Sequence, residues 1–185
     1  MEREQINISR VKSFFVDLEI SYVDFFEKLA VQLENVFHAS VNIGEGLCLP
    51  DEAFDSERNQ YNSSVILKTI KRQPPRADKT LAVTERDLYV EGLNFVFGEA
   101  DVRSGICIVS LARLRQSFYG LPDNPALFFD RALKEAVHEL GHLYRYPHCP
   151  NPECVMHFSN SLTDTDRKSS NFCGRCREWK QIEIG

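Results

Sequence analysis

No run of apolar residues in the 185-residue chain approaches the roughly 18 needed to cross a bilayer. Its first residues, MEREQINISR, lack the apolar core of a signal peptide. Together these absences predict a cytoplasmic protein with no membrane partner. Positive charge is scarce as well: 22 Lys+Arg stand against 27 Asp+Glu, for a formal net charge of -5 and a pI near 5.6. Such a chain has no field to attract a polyphosphate, which argues against a nucleic-acid partner. Internal repeats, low-complexity tracts and linkers long enough to separate independent domains are also missing.

What is present suits an ordinary globular domain, 43% hydrophobic and 26% charged. A chain of this length buries roughly 70% of its unfolded surface, so it can build a core without disulfides or metals. A metal bound here would therefore have some other task. In a reducing compartment the six cysteines read as metal ligands or bystanders. Cys48 and Cys107 stand alone in apolar surroundings and are expected to be buried, whereas Cys149, Cys154, Cys173 and Cys176 gather near the C-terminus. The histidines follow them: His138, His142, His148 and His157 cluster, and only His38, at the end of a predicted helix, lies elsewhere.

The earlier part of the chain reads as scaffold. β-Branched and aromatic residues over 6–15 predict a first strand. Ser21 with Asp24 forms a capping-box pattern before Phe26, Leu29, Ala30, Leu33 and Phe37, which recur at helical spacing. Val41 and Ile43 alternate as in a short strand. A loop over 44–50 precedes a second predicted helix over 58–71, ended by RQPPRADK. Strands are predicted at 81–84, 93–97 and 106–110. The alternation of strands and helices gives an α/β fold with a mostly parallel sheet and one antiparallel neighbour across EADVRSG. After LPDNP, with Asp123 or Asn124 as cap and Pro125 in the first turn, comes the strongest helix. Its apolar stripe is Phe129, Leu133, Ala136, Val137, Leu140 and Tyr144; Arg131, Glu135, His138 and His142 lie opposite.

HELGH at 138–142 sets two imidazoles one helical turn apart on one face, a spacing that suits two ligands of one tetrahedral zinc. Glu139, beside them, can accept a proton from water that the metal acidifies and pass it to a leaving amine. His148 follows close enough to complete three protein ligands and leave the open position of a catalytic zinc. The cysteines form C-x4-C and C-x2-C pairs spaced as in a closed structural zinc site, the alternatives being two disulfides or unrelated thiols. Because His148 and Cys149 are adjacent, two such centres would lie on the order of 10 Å apart, each bracing the other. Two acids in the DTD stretch, Asp164 and Asp166, supply too few oxygens for calcium.

HELGHLYRYPHCPNPECVM, with FSNSLTDTDRKSSNFCGRC after it, resembles the archaemetzincins, a branch of the metzincin clan of zinc peptidases; GLNFVFGEA and IVSLARLRQSFYG extend the resemblance upstream. The resemblance implies a metzincin-like fold, a twisted mostly parallel sheet with one antiparallel strand and backing helices. Residues 1–145 would form an upper subdomain ending in the active-site helix. Residues 146–185 would form a small zinc-stabilised subdomain below the cleft. It further implies two zinc ions, one catalytic on His138, His142 and His148 and one structural on Cys149, Cys154, Cys173 and Cys176. Glu139 would be the general base, Met156 the methionine turn beneath the histidines, and 94–98 a cleft rim that pairs with an extended peptide. The substrate would be a peptide or protein. Oxyanion candidates are Tyr144, Tyr146 and His157.

One residue departs from the family pattern. Arg145 stands where the clan has a glycine that ends the helix in a left-handed turn. Arginine there costs about 1–2 kcal/mol, small against zinc binding of about 10 kcal/mol or more, so His148 is retained as the third ligand. Arg145 also supports the rival reading, a non-catalytic zinc-stabilised interaction protein with a blocked site. A third reading, a nucleic-acid zinc ribbon, rests on a basic cluster of Lys168, Arg175, Arg177 and Lys180 and is opposed by the net charge. Oligomeric state is not written in the sequence.

Overall fold

The computed structural model describes residues 4–12, 22–44, 46–74 and 77–183. Alternation along two strands accounts for the layering. In β6 (Lys79–Thr84) and β9 (Ile106–Ser110), Leu81, Val83, Cys107 and Val109 face one core, and Ala82, Ile106 and Ile108 face the other. Strands apolar on both faces must be covered on both, the arrangement of a parallel sheet between helices. β1 (Gln5–Lys12), β2 (Ser40–Ile43), β3 (Leu47–Cys48) and β8 (Gly98–Asp101) complete this sheet. The order is β2-β1-β6-β9-β8, with β3 also on β1, and every pairing is parallel except β8 with β9. The antiparallel neighbour expected across EADVRSG is thus found, with β8 at the sheet edge.

Helix α1 (Tyr22–Phe37) buries Phe26, Leu29, Ala30, Leu33 and Phe37 on the first face, as its periodicity predicts. Its left-handed terminus falls at His38, φ 53°. The far face is covered by α2 (Ser63–Lys71) through Ile66, Leu67 and Ile70. The predicted extension of the first strand to residue 15 and the capping box at Ser21 lie outside the described residues. No described helix is long and apolar enough to cross a membrane.

Three sequence expectations need correction. The helix predicted from residue 58 begins at Ser63, because the Asn62 side chain caps it by accepting from the Val65 amide at 3.2 Å. Residues Gln60–Asn62 are instead β5, which with β4 (Phe54–Asp55) and β7 (Leu88–Tyr89) forms a second small sheet. The strand predicted at 93–97 is displaced to β8, and only one bridge, Leu88 to Val96, forms within the predicted span. There the Arg58 guanidinium donates to the Leu93 and Asn94 carbonyls, both at 2.9 Å, in the place of a strand partner. Cys48 is exposed, whereas Cys107 is buried as expected.

The long helix, α3 (Pro125–Leu143), starts as its sequence signals: Asn124 accepts from the Leu127 amide at 3.0 Å, and Pro125 occupies the first turn. Its apolar stripe packs on the sheet. The opposite stripe is also covered, with Arg131, Glu135 and His138 at 4%, 2% and 4% exposure. The later chain buries it: Asp166, in α4 (Leu162–Arg167), accepts two hydrogen bonds from Arg131 at 2.6 and 2.7 Å. α5 (Gly174–Glu183) follows. The two acids of the DTD stretch are thereby engaged within the protein, Asp166 by Arg131 and Asp164 by Ser161.

Candidate metal centre

His138 and His142 project from one face of α3, and the chain beyond the helix fixes the orientation of both rings. His138 Nδ1 lies 2.8 Å from the Val155 carbonyl, and His142 Nδ1 lies 2.9 Å from the Tyr146 carbonyl. A carbonyl only accepts, so each Nδ1 carries the proton and each Nε2 presents a lone pair. The two Nε2 atoms face each other at 3.2 Å. Two lone pairs at that distance repel unless a cation lies between them, and tetrahedral zinc with Zn–N bonds of about 2.0–2.1 Å sets its ligands about 3.3 Å apart. His148 joins them, its ring centroid 4.8 Å from His142 and 5.4 Å from His138, and the three ligand atoms lie within 4.8 Å of one another. The donor set therefore fits a zinc ion.

Burial first, then the Lys168 charge, pushes the His138 imidazole well below its ordinary range. Burial likewise lowers His142, to about 4, and His148. All three are thus neutral, the state that ligates metal. Burial raises the Glu139 carboxyl well above the carboxylate range; neighbouring Glu135 adds to this and Lys168 opposes it. Glu139 lies against the edge strand at Gly98, where a Cβ would come within 2.5 Å of Glu139 Cγ and 2.7 Å of Oε1. Only a residue without a side chain admits the carboxylate there.

The turn after the helix brings in His148. Tyr146 N–H donates to the Gly141 carbonyl at 3.1 Å and Arg145 N–H to the His142 carbonyl at 2.8 Å, the two bonds of a Schellman motif. Arg145 takes the left-handed position, φ 67°, and is exposed. The chain therefore keeps the glycine geometry with an arginine. Met156, fully buried, explains the glycine within HELGH, since a Cβ on Gly141 would meet its Sδ at 2.5 Å.

The four clustered cysteines also converge. Cys149 and Cys173 sulfurs are 3.8 Å apart, and Cys154 and Cys176 sulfurs 3.7 Å. A disulfide requires about 2.05 Å, whereas Zn–S bonds of about 2.3 Å place tetrahedral sulfurs about 3.8 Å apart. The set fits a second zinc and not a pair of disulfides. Burial raises the Cys173 thiol, but a hydrogen bond from the Cys176 amide and those among the thiols outweigh it and hold the group at about 7. The two clusters are mechanically linked. Val155, between Cys154 and Met156, orients His138, and Cys149 directly follows His148.

A cleft of about 230 Å³ opens beside His138 and Glu139, bounded above by residues 93–98 and below by Glu135 and residues 158–160. Residues 94–98, expected to form a cleft rim, are among the residues that line it. Tyr144, Tyr146 and His157 do not line this cleft: Tyr144 stacks on Phe37, Tyr146 stacks on Phe172, and His157 Nδ1 lies 3.0 Å from the Cys149 carbonyl. Sequence reasoning missed the groups that hold rim and floor. Arg113 donates twice to Asp87, at 2.7 and 2.8 Å, and Gln60 bridges Asp87 to the Asn94 carbonyl. Lys168, read as part of a local basic cluster, is fully buried with Nζ 3.0 Å from Glu135 Oε1. No local sequence signal distinguishes such a lysine from a solvated one.

Comparison with known proteins agrees with this geometry. The profile of peptidase family M54 matches residues 50–181. The archaemetzincin of Methanocaldococcus jannaschii is 48% identical over 128 residues, 69% of this chain and 70% of its own. That of Pyrococcus furiosus is 50% identical over 135 residues, 72% of this chain and 70% of its own. The crystal structure of Methanopyrus kandleri archaemetzincin superposes with a TM-score of 0.82 at 35% identity, covering 98% of this chain and 96% of that one. With family profile, relatives and fold in agreement, the chain belongs to peptidase family M54, the archaemetzincin-type zinc metallopeptidases.

Proposed function

We propose that His138, His142 and His148 hold the catalytic zinc, that Glu139 is the general base, and that Cys149, Cys154, Cys173 and Cys176 hold a second, structural zinc. The observation that carries this reading is the pair of Nε2 lone pairs facing each other at 3.2 Å beside a buried carboxylate that opens on a cleft. Zinc, when bound, supplies a Lewis acid that polarises the scissile carbonyl and acidifies water. Glu139 takes the proton that the attacking water loses and returns it to the departing amine. The rim at 94–98 aligns an extended peptide, and Met156, packed against Gly141, supports the histidines from below. Residues 1–145 act as the upper unit and 146–185 as the lower one. Four unbridged thiols in one cluster favour a reducing compartment such as the cytoplasm.

The rival non-catalytic reading needs a fourth protein ligand or a side chain filling the histidine site. Among the described residues three ligand groups meet there, which favours the open site. Replacement Glu139→Ala tests the mechanism. Zinc content should be unchanged while peptide turnover falls about 10²–10⁴-fold, the usual contribution of a general base. Retained turnover would remove Glu139 from the role.

A further inference from the structure

A short turn beside the cleft carries apolar side chains that the protein leaves uncovered. The 3-10 turn Gln116–Tyr119 is closed by Gly120, φ 72°, whose amide donates to the Ser117 carbonyl at 3.0 Å. The Leu121 amide donates to the Gln116 carbonyl at 3.2 Å, and the Asp123 carboxylate accepts from the Ser117 amide at 3.3 Å. The backbone is thus pinned, yet Phe118, Tyr119 and Leu121 stand 46%, 46% and 54% exposed. Neighbouring exposed apolar residues on an ordered turn work against solubility, and such a patch marks a binding surface.

The turn is continuous with the upper wall of the cleft. The Phe118 and Tyr119 rings meet edge to face, their centroids 5.1 Å apart. The Arg113 guanidinium lies over the Phe118 ring at 4.9 Å and over the Phe95 ring at 4.3 Å, and Phe95 lines the cleft. Phe118 therefore stands within about three residues of extended chain from the cleft wall. Asp87 accepts two hydrogen bonds from Arg113, at 2.7 and 2.8 Å, so the cation that joins the rings is already balanced and offers no net charge to an acidic ligand.

Area separates the candidate occupants. An aromatic side chain carries about 150–250 Å² of surface, so three large side chains about half exposed present on the order of 300 Å². A stable dimer needs about 800 Å² from each partner. The shelf is small for a second copy of this chain and matches one or two apolar side chains of a polypeptide lying in the cleft. A folded protein buries such side chains, whereas an unfolded segment presents them.

Resting on the metallopeptidase reading above, we propose that Phe118, with Tyr119 and Leu121, forms a secondary subsite that extends the cleft and takes an apolar side chain of an unfolded substrate polypeptide, beyond the residues that flank the bond cut. The test uses zinc-loaded protein and decapeptides of glycine, alanine and serine in which one position at a time carries Phe, Leu, Glu or Lys. Mass spectrometry locates each cut and so fixes the register of the peptide in the cleft. Phe and Leu should raise kcat/KM about tenfold over Ser at one fixed distance from the cut, through a lower KM, the effect of burying an exposed aromatic face. That gain should vanish in Phe118→Ser protein and be largely kept in Phe118→Leu, a half-exposed position where neither replacement opens the core. No gain away from the cut, a gain there for Glu or Lys, or a gain that survives Phe118→Ser would overturn the inference. Sedimentation tests the other occupant: a concentration-dependent dimer that Phe118→Ser dissociates would assign the shelf to a second copy and overturn it as well. Failure to cut any peptide would overturn the metallopeptidase reading and this inference with it, whereas cutting without the distant preference would overturn this inference alone.

Discussion

Arg145 offers a direct test of how the third histidine is delivered. Its φ of 67° places a residue with a Cβ where a glycine is free of steric cost, at the turn whose carbonyl at Tyr146 orients His142. Arg145→Gly should relieve about 1–2 kcal/mol of left-handed strain. Glycine also gives the unfolded chain more freedom, which offsets about 0.5–1 kcal/mol of that gain. Because the Arg145 side chain is exposed, no packing is lost, and the net stabilisation should be about 0.5–1 kcal/mol. For a domain of this size that corresponds to a rise of roughly 1–4 °C in Tm. Arg145→Ala is the control, since alanine keeps the strain while removing the long side chain. The assay is thermal unfolding of zinc-loaded protein, with zinc affinity measured in parallel. Equal or lower Tm for Arg145→Gly, or an equal gain for both variants, would refute strain at this turn.

Two other outcomes follow from the same geometry. Gly98→Ala puts a Cβ 2.5 Å from Glu139 Cγ and 2.7 Å from the Ile108 carbonyl, a backbone atom that cannot easily withdraw. Turnover should fall at least about tenfold with zinc content unchanged, because a misplaced catalytic group is costly; wild-type turnover would contradict the close approach. In metal-free protein all three imidazoles resist protonation below the free value of 6.5, buried His138 most, part-buried His142 down to about 4, and the more exposed His148 also lowered. The unfolded chain therefore takes up protons that the folded chain refuses, and stability should fall as pH drops from about 6.5 toward 4, the three histidines outweighing the opposite contribution of the raised Glu139 carboxyl. Urea midpoints that stay flat or rise as the pH falls through this range would contradict the lowered imidazoles.

The parts of the fold governed by local pattern were legible in the sequence. Helix α3 could be read because Asn124, Pro125 and its apolar stripe are all local signals. The ligands could be read because chemistry dictates their spacing: one turn between His138 and His142, and two close pairs among the four cysteines. What escaped depends on distant partners. The 93–97 segment carries strand-forming residues, yet Arg58 and Gln60 occupy its carbonyls from far along the chain. Lys168 reads as a surface charge because nothing nearby reveals that Glu135 waits for it on another helix. What covers the polar stripe of α3 was not legible either, because it arrives later in the chain, from residues that pair with Arg131 and Glu135.

The central claim is two zinc centres of different character, one open and one closed. Elemental analysis of zinc per chain, before and after brief dialysis against a mild chelator, tests it most directly. The account predicts two zincs per chain, one of which leaves with peptidase activity while the other stays with the cysteines. A single tightly held zinc that the chelator does not remove would contradict it.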